Sequence, residues 1–405
     1  AALASADEAA ATTLLYEVVT NVDLPAGSLA RLVGKIPAGP LTGSDRCPAL
    51  RRVLRSALAR ELAPRDEAEL RFQHSRLLML DNDYEAVQGE LARAVDRLDH
   101  DPVKAARAMA LLGHPYDRTS PVGYHLDWLT RAGELAESLD PVQRTTITLL
   151  RMEGLLALGE PAGWELASRV SDVPSATQTL ETTIRAHINV AYNCTTWGRY
   201  IEARRRLALA LDLVDADVYP GVRALIAANL AGLDWLTGHW AGLDTRIEAL
   251  RRDRDLPPAL GFDLLHTAGN LHAAGGMVTR ADEELAQALS GMRSGTLTMY
   301  VPMSGSLARL RLAAGNVSEA LAITDEPAEV VARKGIWLWA ADIAPVRVEA
   351  LLAAGRENEA AEFTGDFDRW MRGRDVPAAR VAVGLCQAIL AGAHGEPDHA
   401  ASLFA

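Results

Sequence analysis

Apolar residues recur three or four positions apart along most of the chain, the spacing that lines one face of an α-helix. Between Glu181 and Thr196, Ile184, Ile188, Ala191 and Thr195 keep that phase. The phase breaks at Trp197-Gly198-Arg199 and resumes in Ala203, Leu207 and Ala210. Two antiparallel helices joined by a tight turn are expected, because glycine can take the left-handed conformation that stops a helix. Pro220 and Gly221 are expected to close the unit. The break returns at Asn82, Ser120, Gly159, Gly198, Gly238, Gly276, Gly315, Gly355 and Gly395, at intervals of 38 to 40 residues. A period of this length marks stacked helix pairs, each touching only its neighbours. The predicted fold is all-α: a right-handed α-solenoid of antiparallel helix pairs.

Other units keep the same addresses. Gly276 is followed by Val278, Ala281, Leu285 and Ala288, with Gly269 seven before it. Asn82 is followed by Tyr84, Val87, Leu91 and Ala94, with Ser75 before it. Some units are worn. Pro327 and Phe367 replace a small residue, Glu160-Pro161-Ala162-Gly163 makes a looser turn, and Ser120 is marked mainly by spacing. Near the start, Thr12–Asn21 reads as a helix. The stretch from Val33 to Pro48 carries Gly34, Pro37, Gly39, Pro40, Gly43 and Pro48, and reads as a loop or junction. Residues 1–45 are therefore expected to form an N-terminal helical cap, or the tail of a preceding domain. Residues 46–405 are expected to form the array, cut inside its last repeat.

Composition sharpens this picture. Of 405 residues 49% are hydrophobic but only 5% aromatic, which suits closely packed Ala- and Leu-rich helices. The formal net charge is −12, which argues against direct contact with nucleic acid. Lys35, Lys104 and Lys334 are the only lysines, and arginine supplies the other basic residues, as a GC-rich coding bias would. Cys47, Cys194 and Cys386 are odd in number and far apart, so neither a disulfide framework nor a metal knuckle is expected. With no signal peptide or membrane span visible, a reducing, cytoplasmic setting is expected.

Catalytic motifs are not found. There is no phosphate-loop G-x-x-x-x-G-K-S/T, no G-x-S-x-G elbow, no H-E-x-x-H and no C-x-x-C. Gly275-Gly276 ends a helix rather than following a strand. His394 and His399, with Glu396 and Asp398, are the most metal-like group but read as a solvated turn. Cys194 reads as a small core residue, and Arg204-Arg205-Arg206 and Arg251-Arg252-Arg254 as solvated faces. No catalytic residue, metal ligand or cofactor is expected within the chain.

The small residue before the turn, the glycine, the aromatic two residues on and the paired alanines seven apart resemble the tetratricopeptide repeat (TPR). The period of about 39 exceeds the usual TPR length. The resemblance implies that each first helix lines a concave groove. The inward positions are then Arg185, Asn189 and Tyr192, Asn229 and Trp235, Asp263, His266 and Asn270, Arg309, and Asp342 and Glu349, with Trp337 and Trp339 nearby. Aromatic surface with a few hydrogen-bonding groups suits a ligand or peptide.

Turns such as Leu312-Ala313-Ala314-Gly315-Asn316 and Leu352-Ala353-Ala354-Gly355-Arg356 make residues 46–405 similar to one regulator class. It is the sensor region of large ATP-binding LuxR-type transcriptional regulators, which include maltose-activator-like and actinobacterial pathway-specific proteins. That resemblance implies sensing of a small-molecule effector or binding of a protein partner, with a possible homodimer. ATP and DNA would be handled by other domains: neither the phosphate loop nor the helix-turn-helix signature is in this chain. A stand-alone TPR docking scaffold is the alternative.

Overall fold

The computed structural model describes residues 8–36, 46–80, 83–214, 220–253, 256, 258–293 and 295–403. Within them the chain is helical with no strand. It divides into two compact units, one of residues 1–117 and 125–151, the other of residues 118–124 and 152–405.

The first unit is built on α1 (Glu8–Asn21), α2 (Ala26–Val33), α3 (Arg46–Leu58), α4 (Pro64–Leu80), α5 (Tyr84–Ala94), α6 (Pro102–Leu112), α7 (Val122–Ala136) and most of α8 (Pro141–Ala157). One core joins Val19, Leu29 and Val33 to Leu50, Leu54, Leu70 and Leu77, so α1 and α2 share their interior with α3 and α4. A second core gathers Phe72, Val87, Leu91, Leu98 and Leu112. The expected junction at Val33–Pro48 is shorter at both ends: Val33 closes α2 and Pro48 lies in α3. Pro37, Gly39, Pro40 and Gly43 lie outside the described residues, as do the turn mark Asn82, Arg254 and the final Phe404-Ala405.

The second unit continues with α9 (Ala162–Ala167), α10 (Leu180–Trp197), α11 (Tyr200–Leu213), α12 (Pro220–Leu236), α13 (Leu243–Arg251), α14 (Pro258–Ala274) and α15 (Val278–Gly291). It ends with α16 (Leu297–Ala313), α17 (Val317–Lys334), α18 (Ala344–Ala353), α19 (Glu357–Met371), α20 (Pro377–Ala393) and α21 (Pro397–Ser402). Consecutive helices pair as α10 with α11, α12 with α13, and onward.

The turns explain the spacing. Gly159, Gly198, Gly238, Gly276, Gly315, Gly355 and Gly395 all take a left-handed φ between 74° and 83°. In each case the next residue's N–H reaches back five residues, as Arg199 does to Cys194 (2.7 Å) and Asn316 to Arg311 (2.9 Å). That pair of features is the glycine-terminated helix end that satisfies the last carbonyls. Ser120 differs. It lies in the longer connection between α6 and α7, and its carbonyl accepts from the Lys334 ammonium at 2.7 Å.

Pro220 and Gly221 do not close a unit but open α12. Proline needs no N–H partner in a first helical turn, and α4, α6, α8, α14, α20 and α21 start the same way. The small positions are packing requirements. Ala203, Ala210, Ala281 and Ala288 are fully buried. A methyl at Gly269 would sit 2.7 Å from Leu285 Cγ, and such overpacking costs roughly 1–3 kcal/mol.

Other expectations are corrected. Trp337 and Trp339 are buried core residues on a 3-10 turn rather than groove residues. Trp337 packs on Phe363 and Phe367, so the lost alanine at Phe367 is filled by aromatic stacking. The three arginines of α11 are ion-paired, Arg204 with Asp234 (2.6 Å), Arg205 with Asp172 (2.7 Å) and Arg206 with Glu202 (2.6 Å); Arg204 and Arg205 stay open to water as a solvated face would, and Arg206 is buried.

Candidate functional site

The first helices of successive pairs face a cavity of about 480 Å³ within the second unit. Tyr192 comes from α10, Asn229 and Trp235 from α12, Asp263, His266 and Asn270 from α14, and Arg309 from α16. Helical periodicity puts them there, because residues three, four or seven apart share a face. Asp342 and Tyr200 complete the far wall, and Arg309, Asp342 and Tyr200 also border an adjoining cavity of about 540 Å³ that reaches Glu349. Two expected residues lie outside both cavities. Arg185 is exposed and paired with Glu181 of its own helix at 2.7 Å. Asn189 donates to Glu153 at 2.7 Å, which draws it towards α8.

Polar groups in the cavity fall into two sets. Some are tied down. Tyr192 donates to Thr298 Oγ1 (3.0 Å), and His266 Nε2 shares a hydrogen bond with Ser306 Oγ (2.8 Å). The amide nitrogens of Asn229 and Asn270 donate to the carbonyls of Leu225 and His266 in their own helices (2.8 and 2.9 Å). That leaves each amide oxygen to accept. The charged groups are different: among the described residues the side chains of Asp263, Arg309 and Asp342 make no hydrogen bond or ion pair. The more deeply buried Asp234, by contrast, is paired with Arg204 and Arg246.

Two acids and a histidine of the cavity are perturbed. Burial pushes Asp263 up to about 6. Burial, reinforced by the Arg309 guanidinium, pushes His266 down to about 4, so that its ring is neutral at pH 7. Both side chains keep some exposed area, but protein atoms surround them in depth. Burial raises Asp342 to about 6 as well, with Arg309 opposing. Asp342 is open to water over more of its surface, which weakens that effect.

Trp240, two residues after the turn glycine Gly238, stacks on Trp235 at 5.0 Å and 14°. Together they give the cavity an aromatic wall. In the α10–α11 pair the aromatic address is used differently. Trp197, fully buried and edge-on to Trp164, fills the interhelical gap, and Tyr200 borders the cavity instead. Periodicity alone did not mark Tyr200, Trp240 or Ser306 as lining residues; the repeat address two after each turn glycine was the available signal for the first two.

The thiols of Cys194 and Cys386 are buried and pushed up to about 12. Among the described residues no three His, Cys, Asp or Glu side chains form a group that could hold a metal ion. His394 pairs with Glu357 (2.6 Å) and His399 with Glu396 (3.1 Å) at the surface. Among the described residues no helix is long and apolar enough to cross a membrane.

With this geometry in hand, likeness to solved structures defines the class. The chain is similar to the Rap protein complexed with competence and sporulation factor, at 13% identity and TM-score 0.50, over 98% of this chain and 95% of that one. It is also similar to NprR in complex with its cognate peptide NprX, at 10% identity and TM-score 0.49, over 98% and 97% of the two chains. A third is a signal-transduction ATPase with a tetratricopeptide-repeat sensor from Pyrococcus horikoshii, at 12% identity and TM-score 0.42, over 97% of this chain and 62% of that one. The fold is a TPR-like helical-repeat solenoid. No protein-family model matches the chain, and no curated protein matches it.

Proposed function

We propose that this chain is a non-enzymatic sensing and interaction region, and that its ligand occupies the cavity between α10, α12, α14 and α16. The observation that carries the reading is the set of unpaired charges, Asp263, Arg309 and Asp342, beside the Trp235–Trp240 stack. Asp263 is half-buried without a partner, which is costly unless a ligand supplies one, while the exposed Arg309 and Asp342 stand open to a ligand's charges. A fold of this class holds competence and sporulation factor in the Rap complex. The repeat style further suits the sensor of a LuxR-type regulator, working in the cytoplasm. A ligand that prefers one curvature of the stacked pairs would shift the population towards it.

A thermal-shift and calorimetric screen tests this, using amino acids, short peptides, sugars and nucleotides on wild type, Trp235→Ala and Arg309→Ala. At least one compound is expected to raise Tm in wild type and in neither variant. A screen without any binder, or binding that ignores both substitutions, would remove the cavity from the function. A protein-docking reading is favoured by a separate observation: Leu236, Trp240, Met277 and Val278 are exposed on the successive turns at Gly238 and Gly276. Light scattering that shows a dimer abolished by Trp240→Glu and Met277→Glu would support that reading.

A further inference from the structure

The charge of the cavity narrows what it can hold, and this step rests on the reading just given. Asp263 and Asp342 line the main cavity and Glu349 the adjoining one, while Arg309 borders both. The two cavities are therefore lined by three carboxylates and one guanidinium; Asp342 feels the charge of Arg309, the side chains of Arg309, Asp342 and Glu349 are exposed, and none of the four has an ion pair among the described residues. Of the other titratable neighbours, His266 is hydrogen-bonded to Ser306, Tyr192 to Thr298, and Tyr200 is a phenol whose pKa is raised by burial and by Asp342. A ligand that balances this set must bring one anionic group for Arg309 and more than one cationic group for the acids. A neutral zwitterion leaves the acids undersupplied, and an acidic ligand worsens the imbalance. The Trp235–Trp240 stack adds an aromatic face, on which a methylene stem can lie and near which a cation is attracted. About 480 Å³ is within the roughly 300–1,000 Å³ typical of small-molecule sites.

We propose that the cavity binds a free basic amino acid. Its α-carboxylate pairs with Arg309 and its two cationic groups pair with Asp263, Asp342 and Glu349. Arg309 fixes the orientation, because a guanidinium can take a carboxylate through two parallel hydrogen bonds. The acids then select for a second cation, and the aromatic wall covers the stem between the two ends.

Titration calorimetry on the full chain tests this with named probes: L-lysine, L-ornithine and L-arginine, and the tripeptide Ala-Ala-Lys with a free carboxylate. Cadaverine lacks the carboxylate, norleucine lacks the second amine, and the tripeptide amide lacks the terminal charge. At least one basic probe is expected to bind wild type, with cadaverine and norleucine weaker than lysine by about tenfold or more. Arg309→Ala should weaken lysine by a similar factor while leaving cadaverine unchanged. Asp342→Asn should bring lysine close to norleucine. Free lysine is expected to bind more tightly than the tripeptide, whose lysine α-nitrogen is an uncharged amide; the reverse order overturns the proposal. Norleucine binding as tightly as lysine overturns the proposal, as does failure of every basic probe. These wild-type comparisons hold even if a variant fails to fold. Should a sugar or an acidic compound from the wider screen bind the cavity while lysine does not, the charge argument falls and the sensing role stands. If nothing binds in either experiment, both fall.

Discussion

Asp263 and His266 lie three residues apart on α14, face one cavity and answer pH in opposite directions. Asp263 is an acid raised from 3.8 to about 6, so it binds more protons folded than unfolded. Its contribution to stability is complete below 3.8 and is lost as pH rises through about 6. His266 is a base lowered from 6.5 to about 4. It contributes fully above 6.5, and that contribution is lost as pH falls towards 4. Each effect is bounded by about 3 kcal/mol, and water reaching both side chains reduces it. In wild type these two oppose each other between pH 4 and 6, while Asp342, raised like Asp263 but more open to water, adds a smaller part in the direction of Asp263. Single substitutions should uncover each half. Asp263→Asn is expected to be more stable than wild type at pH 7 and to lose that advantage towards pH 4. His266→Gln should leave a protein that gains stability on acidification over the same range. Urea unfolding at pH 4, 5, 6 and 7 measures both, and parallel curves for all three proteins would contradict the assignment. A stabilising Asp263→Asn that also weakens ligand would mark the carboxylate as kept for binding at a cost in stability.

At the scale of helix and turn, seven glycines share one backbone conformation but not one environment. A methyl added at Gly238, Gly276, Gly315, Gly355 or Gly395 would meet nothing within 4 Å. At Gly198 it would sit 2.6 Å from the backbone nitrogen of Ala378, and at Gly159 2.7 Å from the Trp370 ring. Gly315→Ala should therefore cost only the left-handed strain, about 1–2 kcal/mol. Gly198→Ala adds overpacking against backbone and should cost about 2–5 kcal/mol. Chemical denaturation of the two variants separates these effects, and equal losses would mean that Ala378 yields freely. The difference also shows what the amino-acid pattern could and could not reveal. A left-handed turn is a local need that only glycine meets without strain, so all seven turns could be read from spacing. Asn229, Asp263, His266 and Arg309 were legible for a similar reason, since helical phase and repeat address put them on one wall. Arg185 and Asn189 shared that phase but are turned aside by Glu181 and Glu153, a choice made by partners that spacing does not encode. The contact above Gly198 was illegible, because it depends on where the rotations of several intervening pairs bring the chain.

That contact changes how the second unit behaves as a whole. In an open helical array each pair touches its neighbours alone, so damage at one end stays there. Here the connector between α19 and α20 comes back against the turns at Gly159 and Gly198. Arg199 pairs with Asp375 at 3.2 Å across 176 residues, and Arg374 with Glu160 at 3.0 Å across 214. Arg199 also lies over Trp164 at 4.5 Å, and Arg374 over Trp370 at 4.9 Å. The Arg199–Asp375 pair is well exposed, so it contributes roughly 0–1 kcal/mol. The greater share of the closure rests on the close fit of Gly159 under Trp370 and of Gly198 against Ala378. Tyr200 on one side of this seam and Ala378 on the other both border the cavity, so the seam and the cavity share a wall. Trp370→Ala combined with Asp375→Arg should loosen the seam while sparing the core of each pair. If the closure couples distant pairs, amide hydrogen exchange at Gly159–Glu160 and Gly198–Arg199 should speed up by about tenfold or more. The turn at Gly315, with nothing packed over it, should be unaffected. Exchange that changes only around α19 and α20 would show that the second unit is an open array after all. A ligand in the cavity should restore protection at the two closed turns, because it touches both walls and therefore favours the closed form.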